Sequence, residues 1–329
     1  MPSLPEIVRL GAGDSSAIPS GFRGGVVAIG NFDGVHRGHQ ALLRTAIDEA
    51  ARHGTHPVVL TFEPHPRAVL RPETAMPRLT AERARLRVLG AFGIGNVVVV
   101  DFDRAFAAIE ADEFAVRILG DRLEARAVIV GEGFRFGRGR GGDVDLLRRS
   151  GRFDVIAIPP VADAGGATFS SGRVRDALAA GDIAAANVLL GYRWFVEGVV
   201  VDGDKRGREL GFPTANLALD APIGLKLGIY AVTLTRAGGQ PLAAVASYGV
   251  RPMFESAAPL LEVHVFDFAG SLYGERVAVT FFDPIRGEER FASVEALVAR
   301  MHVDSAIARE MLAGAGPGTP LDAALAAIA

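Results

Sequence analysis

The stretch Gly25-Val-Val-Ala-Ile-Gly30, followed at once by Asn31-Phe-Asp-Gly-Val-His-Arg-Gly-His39, decides the fold of the first half of the chain. Apolar residues between two glycines predict a short buried strand. After His39, apolar residues recur at helical spacing from Gln40 to His53. The glycine-rich stretch is therefore predicted to be the turn between a strand and a helix.

This turn is the first candidate site. A glycine-rich turn at a helix N-terminus offers free backbone N–H groups to an anion. Gly38 would let the backbone approach a phosphate, and His36 and His39 could donate hydrogen bonds to charge on a transferred phosphoryl or nucleotidyl group. The alternative interpretation is a turn with two partly exposed histidines. A P-loop is excluded because the chain has no Gly-Lys pair.

The same alternation of apolar runs and helical segments continues to about residue 180. Further strands are expected at residues 57–62, 96–102, 125–131 and 154–161. Helices are expected at residues 80–89, 111–123 and 171–180. Apolar strands that alternate with helices predict a parallel sheet covered on both faces, which is a Rossmann-like α/β domain.

After Gly191 the pattern changes to short strands separated by glycine, proline and aspartate turns. These strands are expected at residues 194–202, 228–235, 242–247, 260–268 and 275–282. Strands without intervening helices predict a small antiparallel barrel or sandwich, closed by a C-terminal helix at residues 293–312. We place one domain at residues 1–184, a second at 185–313, and a flexible tail at 314–329.

The composition limits the classes of function. The 329 residues carry a net charge of −3, so no broad positive field indicates binding to nucleic acid or to a membrane surface. The absence of cysteine excludes disulfides, thiolate metal sites and cysteine nucleophiles. No apolar run approaches the length of about 20 residues that a spanning helix needs. We expect a cytoplasmic protein with small-molecule partners. The sequence does not decide whether the protein forms a weak homo-oligomer.

The turn at Gly30–His39 resembles the signature of the His-x-Gly-His nucleotidyltransferases, in the form used by prokaryotic bifunctional riboflavin kinase/FMN adenylyltransferases (FAD synthetases). Later stretches resemble further motifs of that family, namely Thr61-Phe-Glu-Pro-His-Pro66, Gly131-Glu-Gly-Phe-Arg-Phe-Gly137 and Ser170-Ser-Gly-Arg-Val-Arg175. The resemblance extends from about residue 24 to residue 312. It implies that the first domain transfers AMP from ATP to FMN, which yields FAD and pyrophosphate.

The resemblance also assigns residues of the first domain. It implies that His36 and His39 are catalytic, and that Phe62 and Phe134 contact the flavin. The residues implied at ATP or its phosphates are Gly30, Asn31, Phe32, Gly38, Ser170, Ser171 and Arg175. Six arginines between Gly133 and Arg152 face only two aspartates, a patch that suits phosphate or is a solvated arginine surface.

The second candidate site is the stretch Gly203-Asp-Lys-Arg-Gly-Arg-Glu-Leu-Gly-Phe-Pro-Thr-Ala-Asn216. Its glycines allow a loop to fold over phosphates, although such a stretch alone is equally typical of a surface turn. Thr214 and Asn216 lie on the same side of an extended segment and can share one Mg²⁺. The resemblance implies a riboflavin kinase site whose remaining ATP-binding residues are Gly203, Lys205, Gly207, Arg208, Gly211 and Pro213.

The segment Leu261-Glu-Val-His-Val265 alternates, which places Glu262 on the face opposite its apolar neighbours. Without the resemblance, Glu262 would be interpreted as a solvated strand carboxylate. The resemblance makes it the expected general base for the ribityl hydroxyl group of riboflavin. It also implies flavin contacts by Arg251, Asp304 and Arg309.

Four positions depart from the family pattern. The family usually has Asn or Asp at Gly133, Thr at Gly172, Asn at Ser247 and Thr at Met253. The first two departures favour, as an alternative, a riboflavin kinase with weak or lost adenylyltransferase activity. A flavin-binding sensor without catalysis is a further alternative, against which the joint presence of His36, His39 and Glu262 argues. A dinucleotide-dependent oxidoreductase is disfavoured because the first strand–helix turn lacks its fingerprint.

Overall fold

The computed structural model describes residues 3–74, 76–203, 210–250 and 259–328. The chain forms two compact units. The first comprises mainly Met1–Met76 and Arg85–Ser170, and the second mainly Pro77–Ala84 and Ser171–Ala327. Within the described residues, no helix is both long and apolar enough to cross a membrane.

The first unit is built on a six-stranded sheet in the order β1-β4-β3-β2-β5-β6. Every neighbouring pair is parallel. The strands are β1 Glu6–Leu10, β2 Val26–Ile29, β3 Pro57–Glu63, β4 Asn96–Asp101, β5 Ala127–Gly131 and β6 Asp154–Ile158. The central strands are buried over nearly their whole length, as expected for a sheet covered on both faces. The predicted Rossmann-like α/β architecture is confirmed.

Helices connect these strands. They are α1 Arg37–Arg52, α2 Pro66–Leu70, α3 Glu82–Ala91, α4 Arg104–Ala107, α5 Ala111–Glu113 and α6 Val144–Arg149. Helix α5 continues into a π-helical stretch, Phe114–Arg122, where the sequence predicts an ordinary α-helix. Strand β1 is not predicted, because it is a partly exposed edge strand that contains both Glu6 and Arg9.

The second unit contains a closed barrel in the order β10-β11-β8-β7-β12-β9, with antiparallel neighbours throughout. Its strands are β7 Phe195–Val201, β8 Ala215–Leu219, β9 Gly228–Arg236, β10 Leu242–Gly249, β11 Leu260–Val265 and β12 Arg276–Arg286. The sequence left a barrel and a sandwich open, and the structure is a barrel. Strand β8 is not among the strands that the sequence predicts.

Four helices accompany the barrel in the described part of this unit. They are α7 Ser171–Ala180, α8 Ile183–Leu190, α9 Val294–Gly314 and α10 Pro320–Ala326. Helix α9 is the predicted C-terminal helix. Its Ala308 packs against Ala231 of β9 and against Phe266, which directly follows β11. Helix α10 lies where a flexible tail was expected. Thr319 and Asp322 form a capping box that starts it, and the Asp322 carboxylate accepts a hydrogen bond of 2.8 Å from the Arg193 N–H.

Candidate active sites

The first candidate site lies between β2 and α1, in the Gly30–His36 loop. His36 is the N-cap of α1, and its Nδ1 accepts a hydrogen bond of 3.4 Å from the backbone N–H of His39. Because Nδ1 is an acceptor here, the proton of the neutral His36 ring is on Nε2. The cap starts the helix at Arg37, three residues before the predicted start. It also leaves His36 with a ring N–H donor.

The backbone of this loop is strained. Phe32 and Val35 have φ angles of 49° and 40°, although neither is a glycine. Both side chains are fully buried. A β-branched residue rarely adopts this left-handed conformation, and such positions cost about 1–3 kcal/mol each. Strain of this kind is concentrated at functional sites, where the surrounding structure enforces it.

The two histidine rings are stacked on one another. Their centroids lie 3.8 Å apart with an interplanar angle of 21°, and the Phe32 ring lies 5.2 Å from His39. Burial and, to a smaller extent, the neighbouring His36 hold the pKa of His39 well below its usual value. The His39 Nδ1 is buried and has no hydrogen-bond partner among the described residues. His36 is buried and His39 is partly exposed, so only one of the two histidines agrees with a turn that has two partly exposed histidines.

Gly38 is closely packed. A Cβ atom at this position would lie 3.1 Å from His36 Nδ1 and 3.3 Å from the Phe169 carbonyl oxygen. Any side chain would therefore press against the capping histidine. The contact of Gly38 with a phosphate at the first turn of α1 stays a prediction.

Asn31 is held by a network that sequence analysis missed. Its carbonyl oxygen accepts a hydrogen bond of 3.2 Å from Thr61 Oγ1 and one of 3.3 Å from Arg85 Nη1. Arg85 is fully buried and also donates from Nη2 to Glu63 Oε2 at 2.8 Å. Arg85 thus connects the loop after β2 to the end of β3. Arg83 and Arg87 alternate with it along α3, so the sequence does not show which arginine is buried.

Phe62 and Phe134 lie near the carboxyl ends of β3 and β5, where parallel sheets bind ligands. Both rings are half-buried against the core. Phe62 contacts Phe102 edge-on at 5.8 Å, and Phe134 stacks on Phe136 at 5.4 Å. Phe102 directly follows β4 and was not predicted. Flavin contacts by Phe62 and Phe134 stay predictions.

The arginine patch is largely paired with carboxylates. Four of its six members form ion pairs, which are Arg135–Asp143, Arg138–Glu110, Arg148–Asp145 and Arg152–Asp121. These pairs favour a solvated surface over a phosphate site. Gly133 is exposed, and a Cβ atom there would meet nothing within 4 Å. The structure therefore has room for the side chain that the family usually has.

The second candidate site lies on the barrel. In the strand registers, Asn216 of β8 faces Glu262 of β11, and Glu262 faces Ser247 of β10. Residues that face each other on antiparallel strands have Cβ atoms about 4.5–5.5 Å apart. Leu261 and Val263 are buried, so Glu262 lies on the opposite face of its strand, as predicted. Asn216 and Glu262, predicted separately from the sequence, are cross-strand neighbours.

The segment before β8 is shaped by its neighbours. A Cβ atom at Gly203 would overlap the amide group of Asn216, so a glycine is required there. The Pro213 carbonyl oxygen and His264 Nδ1 are 2.9 Å apart. Thr214 lies next to Pro213, two residues before Asn216. His264 was missed by sequence analysis because its partner is a backbone carbonyl.

Thr214, Asn216 and Glu262 supply a hydroxyl, an amide and a carboxylate oxygen, which are the hard donors that Mg²⁺ prefers. Among the described residues, no cluster of three or more His, Asp or Glu side chains forms a metal cage. Mg²⁺ usually takes one or two protein oxygens and completes its shell with water and nucleotide phosphates. The residues present therefore fit a metal–nucleotide complex.

Comparisons with known proteins identify the family of each half of the chain. The FAD synthetase family model matches residues 19–173, and the riboflavin kinase model matches residues 190–312. A bifunctional riboflavin kinase/FMN adenylyltransferase from Escherichia coli (strain K12) is 42% identical over 290 residues, which cover 87% of this chain and 92% of that protein. The chain belongs to this bifunctional family. A member from Pseudomonas fluorescens is 42% identical over 295 residues, which cover 88% and 94% of the two chains.

A solved structure agrees with the fold over nearly the whole chain. It is described as a macrolide-efflux protein from Streptococcus pneumoniae, with a TM-score of 0.81 and 32% identity. The match covers 92% of this chain and 98% of that one. The family resemblance that the sequence motifs indicated is confirmed, and so are an α/β domain and a barrel domain in this order.

Several expected site residues have other partners in the structure. Asp304 is buried, and its carboxylate accepts hydrogen bonds of 3.0 Å and 2.8 Å from Arg286 Nε and Nη2. Arg309 forms two hydrogen bonds, of 2.7 Å and 3.0 Å, with Asp267, which lower the pKa of that carboxyl. Flavin contacts by Asp304 and Arg309 stay predictions.

The roles of Ser170, Ser171 and Arg175 at ATP stay predictions. Arg175 of α7 donates from Nε to the Pro77 carbonyl oxygen at 2.9 Å. Ser170 closes the first unit in the chain, and Ser171 begins α7 in the second. Gly211 is exposed with a φ angle of 81°. The expected residues that lie outside the described part of the chain are Lys205, Gly207, Arg208 and Arg251, together with the departure at Met253.

Proposed function

We propose that this chain phosphorylates riboflavin with ATP, which yields FMN, and then adenylylates FMN with a second ATP, which yields FAD and pyrophosphate. The observation that carries this proposal is the presence of both family domains in one chain, each with its candidate site. Relatives that match over most of their length are named for both activities.

The adenylyl transfer is assigned to the Gly30–His39 turn. An oxygen of the FMN phosphate attacks the α-phosphorus of ATP, and the bond from that phosphorus to the bridging oxygen of pyrophosphate breaks. The N-terminus of α1, which His36 caps through Nδ1, and the His36 Nε2–H are proposed to stabilise the charge that develops on the phosphate oxygens. His39 is held neutral by burial, and a bound polyphosphate would favour its protonation. Phe62 and Phe134 are proposed to hold the flavin ring.

The phosphorylation of riboflavin is assigned to the row of Asn216 and Glu262. Glu262 accepts the proton of the ribityl 5′-hydroxyl group as the hydroxyl oxygen attacks the γ-phosphorus of ATP, and the bond from that phosphorus to the bridging oxygen breaks, which releases ADP. Thr214 and Asn216 would hold Mg²⁺, which when bound neutralises charge on the transferred phosphoryl group. The proximity of Asn216 to Glu262 in the strand register supports this assignment, because metal ligand and base must flank the same phosphoryl group.

The test is to separate the flavins after incubation of purified protein with ATP, Mg²⁺ and either riboflavin or FMN. FAD in both reactions supports the full proposal. FMN as the final product of the first reaction, with no FAD in either, would leave a riboflavin kinase. Gly133 and Gly172 would then be the first positions to restore, to Asn and Thr. No FMN from riboflavin would refute the kinase assignment.

The setting of the enzyme is part of the proposal. A cytoplasmic location would supply ATP and free riboflavin, and no domain-wide positive charge favours nucleic acid as a partner. The domain limits at residues 1–184 and 185–313 are proposed from the sequence. Expression of residues 1–184 alone, followed by assay of FAD formation from FMN, tests them.

A further inference from the structure

The Pro213 carbonyl group lies just beyond the end of a β-ladder. The register between β8 and β11 ends at the pair Ala215 and Val263. Pro213 therefore lies beyond the last paired residue of the ladder. Its carbonyl oxygen lies 2.9 Å from Nδ1 of the His264 side chain. A carbonyl oxygen only accepts hydrogen bonds, so the proton of the neutral His264 ring is on Nδ1.

The residue before Pro213 is fixed from two sides. Phe212 is buried, and its ring meets the His264 ring edge-on at 5.1 Å and the His302 ring of α9 at 4.8 Å. Edge-to-face contacts at these distances stabilise aromatic pairs beyond the burial of their surface. The Phe212-Pro213 segment is thus packed between β11 and α9 immediately before Thr214.

His264 lies two residues after Glu262 on the same face of β11. One strand therefore carries the proposed base and also the side chain that fixes the peptide leading into Thr214. We propose that His264 is a positioning residue of the kinase site, which sets the place of Thr214 relative to Glu262 through its hydrogen bond to the Pro213 carbonyl group. This inference rests on the proposed riboflavin kinase function.

The test compares two substitutions in the full chain. In His264→Asn, the side-chain amide nitrogen can take the place of the ring Nδ1–H. In His264→Phe, the ring contact with Phe212 is kept and the donor is lost. FMN formation is measured against Mg²⁺ concentration, and FAD formation from FMN in the same samples serves as the control for folding. His53→Phe, which replaces the C-cap histidine of α1 in the other unit, is the matched control.

Loss of one hydrogen bond corresponds to about fivefold in an equilibrium. We expect His264→Phe to raise the half-saturating Mg²⁺ concentration for FMN formation by about this factor, and His264→Asn to restore most of the loss. FAD formation should stay unchanged in both. A wild-type Mg²⁺ requirement in His264→Phe, or a lower kcat at an unchanged requirement, would overturn the proposal. If His264→Phe does not fold, His264→Leu removes the donor with a smaller apolar side chain.

A spectroscopic measurement tests the inference without catalysis. The chain has seven histidines, so the imidazole ¹⁵N signals of His264 can be assigned by their loss in His264→Asn. The proton should be on Nδ1 in the wild type, whereas a proton on Nε2 would contradict the hydrogen bond. If the wild-type protein forms no FMN, the proposed function fails, and the tautomer result still stands as a separate outcome.

Discussion

Replacement of Arg85 by methionine would test how the adenylyltransferase loop is held. Arg85 has no exposed surface, and its guanidinium bridges the Asn31 carbonyl group and the Glu63 carboxylate. Methionine keeps a flexible apolar chain of similar reach and removes both hydrogen bonds. The Arg85→Met substitution therefore leaves the packing of α3 largely intact and releases the loop after β2.

The size of the effect follows from the partners that are left behind. Removal of one member of a buried ion pair costs about 3–5 kcal/mol. The Glu63 side chain is 22% exposed and can regain water, and Asn31 keeps its bond from Thr61. We therefore expect the lower end, about 3 kcal/mol. For a domain of 150–250 residues this corresponds to a fall in Tm of about 6–12 °C.

Urea and thermal unfolding would measure the decrease in the free energy of unfolding. FAD formation from FMN would show the effect of releasing the loop after β2 on adenylyl transfer. The control is Arg148→Met on α6, where the arginine is 53% exposed and lies 3.1 Å from the Asp145 carboxylate, which is 70% exposed. A half-exposed pair of this kind contributes at most about 1 kcal/mol. An Arg85→Met protein within 1 kcal/mol of the wild type would refute the reasoning. The reasoning would also be refuted if the Arg85→Met protein, assayed at a temperature where it is folded, lost FMN formation and FAD formation to the same extent.

Three further outcomes are expected. His36→Asn and His39→Asn should each lower FAD formation from FMN by about 10²-fold or more, with FMN formation within twofold of the wild type, as separation of the flavins would show. Glu262→Gln should lower FMN formation by about 10²-fold and leave FAD formation from supplied FMN intact; a matching loss in both reactions would contradict the division of labour. The pKa of His39 is lowered in the folded state, so the unfolded chain takes up the proton first as pH falls below about 6.5. The free energy of unfolding, measured by urea titration, should therefore fall from pH 7.5 to pH 5, and His39→Asn should flatten part of that slope.

The sequence predicts the elements whose signal is local. The β2–α1 unit was expected because its apolar run and helical spacing are adjacent, and only the start of α1 was displaced, since His36 caps the helix through its side chain. Strand β8 was missed because Ala215–Leu219 is short and follows a stretch of sequence that is rich in glycine. Closure of the barrel depends on pairings between distant strands, such as β9 with β12, which no local pattern shows.

The same distinction separates the site residues. His36, His39 and Glu262 were predicted because their motifs are contiguous in the chain. The alignment of Glu262 with Asn216 depends on the register of two strands far apart in sequence. Arg85 and His264 were missed, since each acts on a backbone carbonyl group, and a carbonyl acceptor leaves no trace in residue identity.

The left-handed backbone at Val35 has a consequence for engineering. A glycine adopts the φ angle of 40° without steric cost, so Val35→Gly relieves local strain while it also removes a fully buried side chain. Selection for heat resistance alone would favour variants in which the strained backbone at Val35 is relieved, provided that neighbouring side chains repack into the space that the valine side chain leaves. Such variants would hold the stacked histidines less rigidly, so thermostable versions of this enzyme should be screened for FAD output and not for soluble yield.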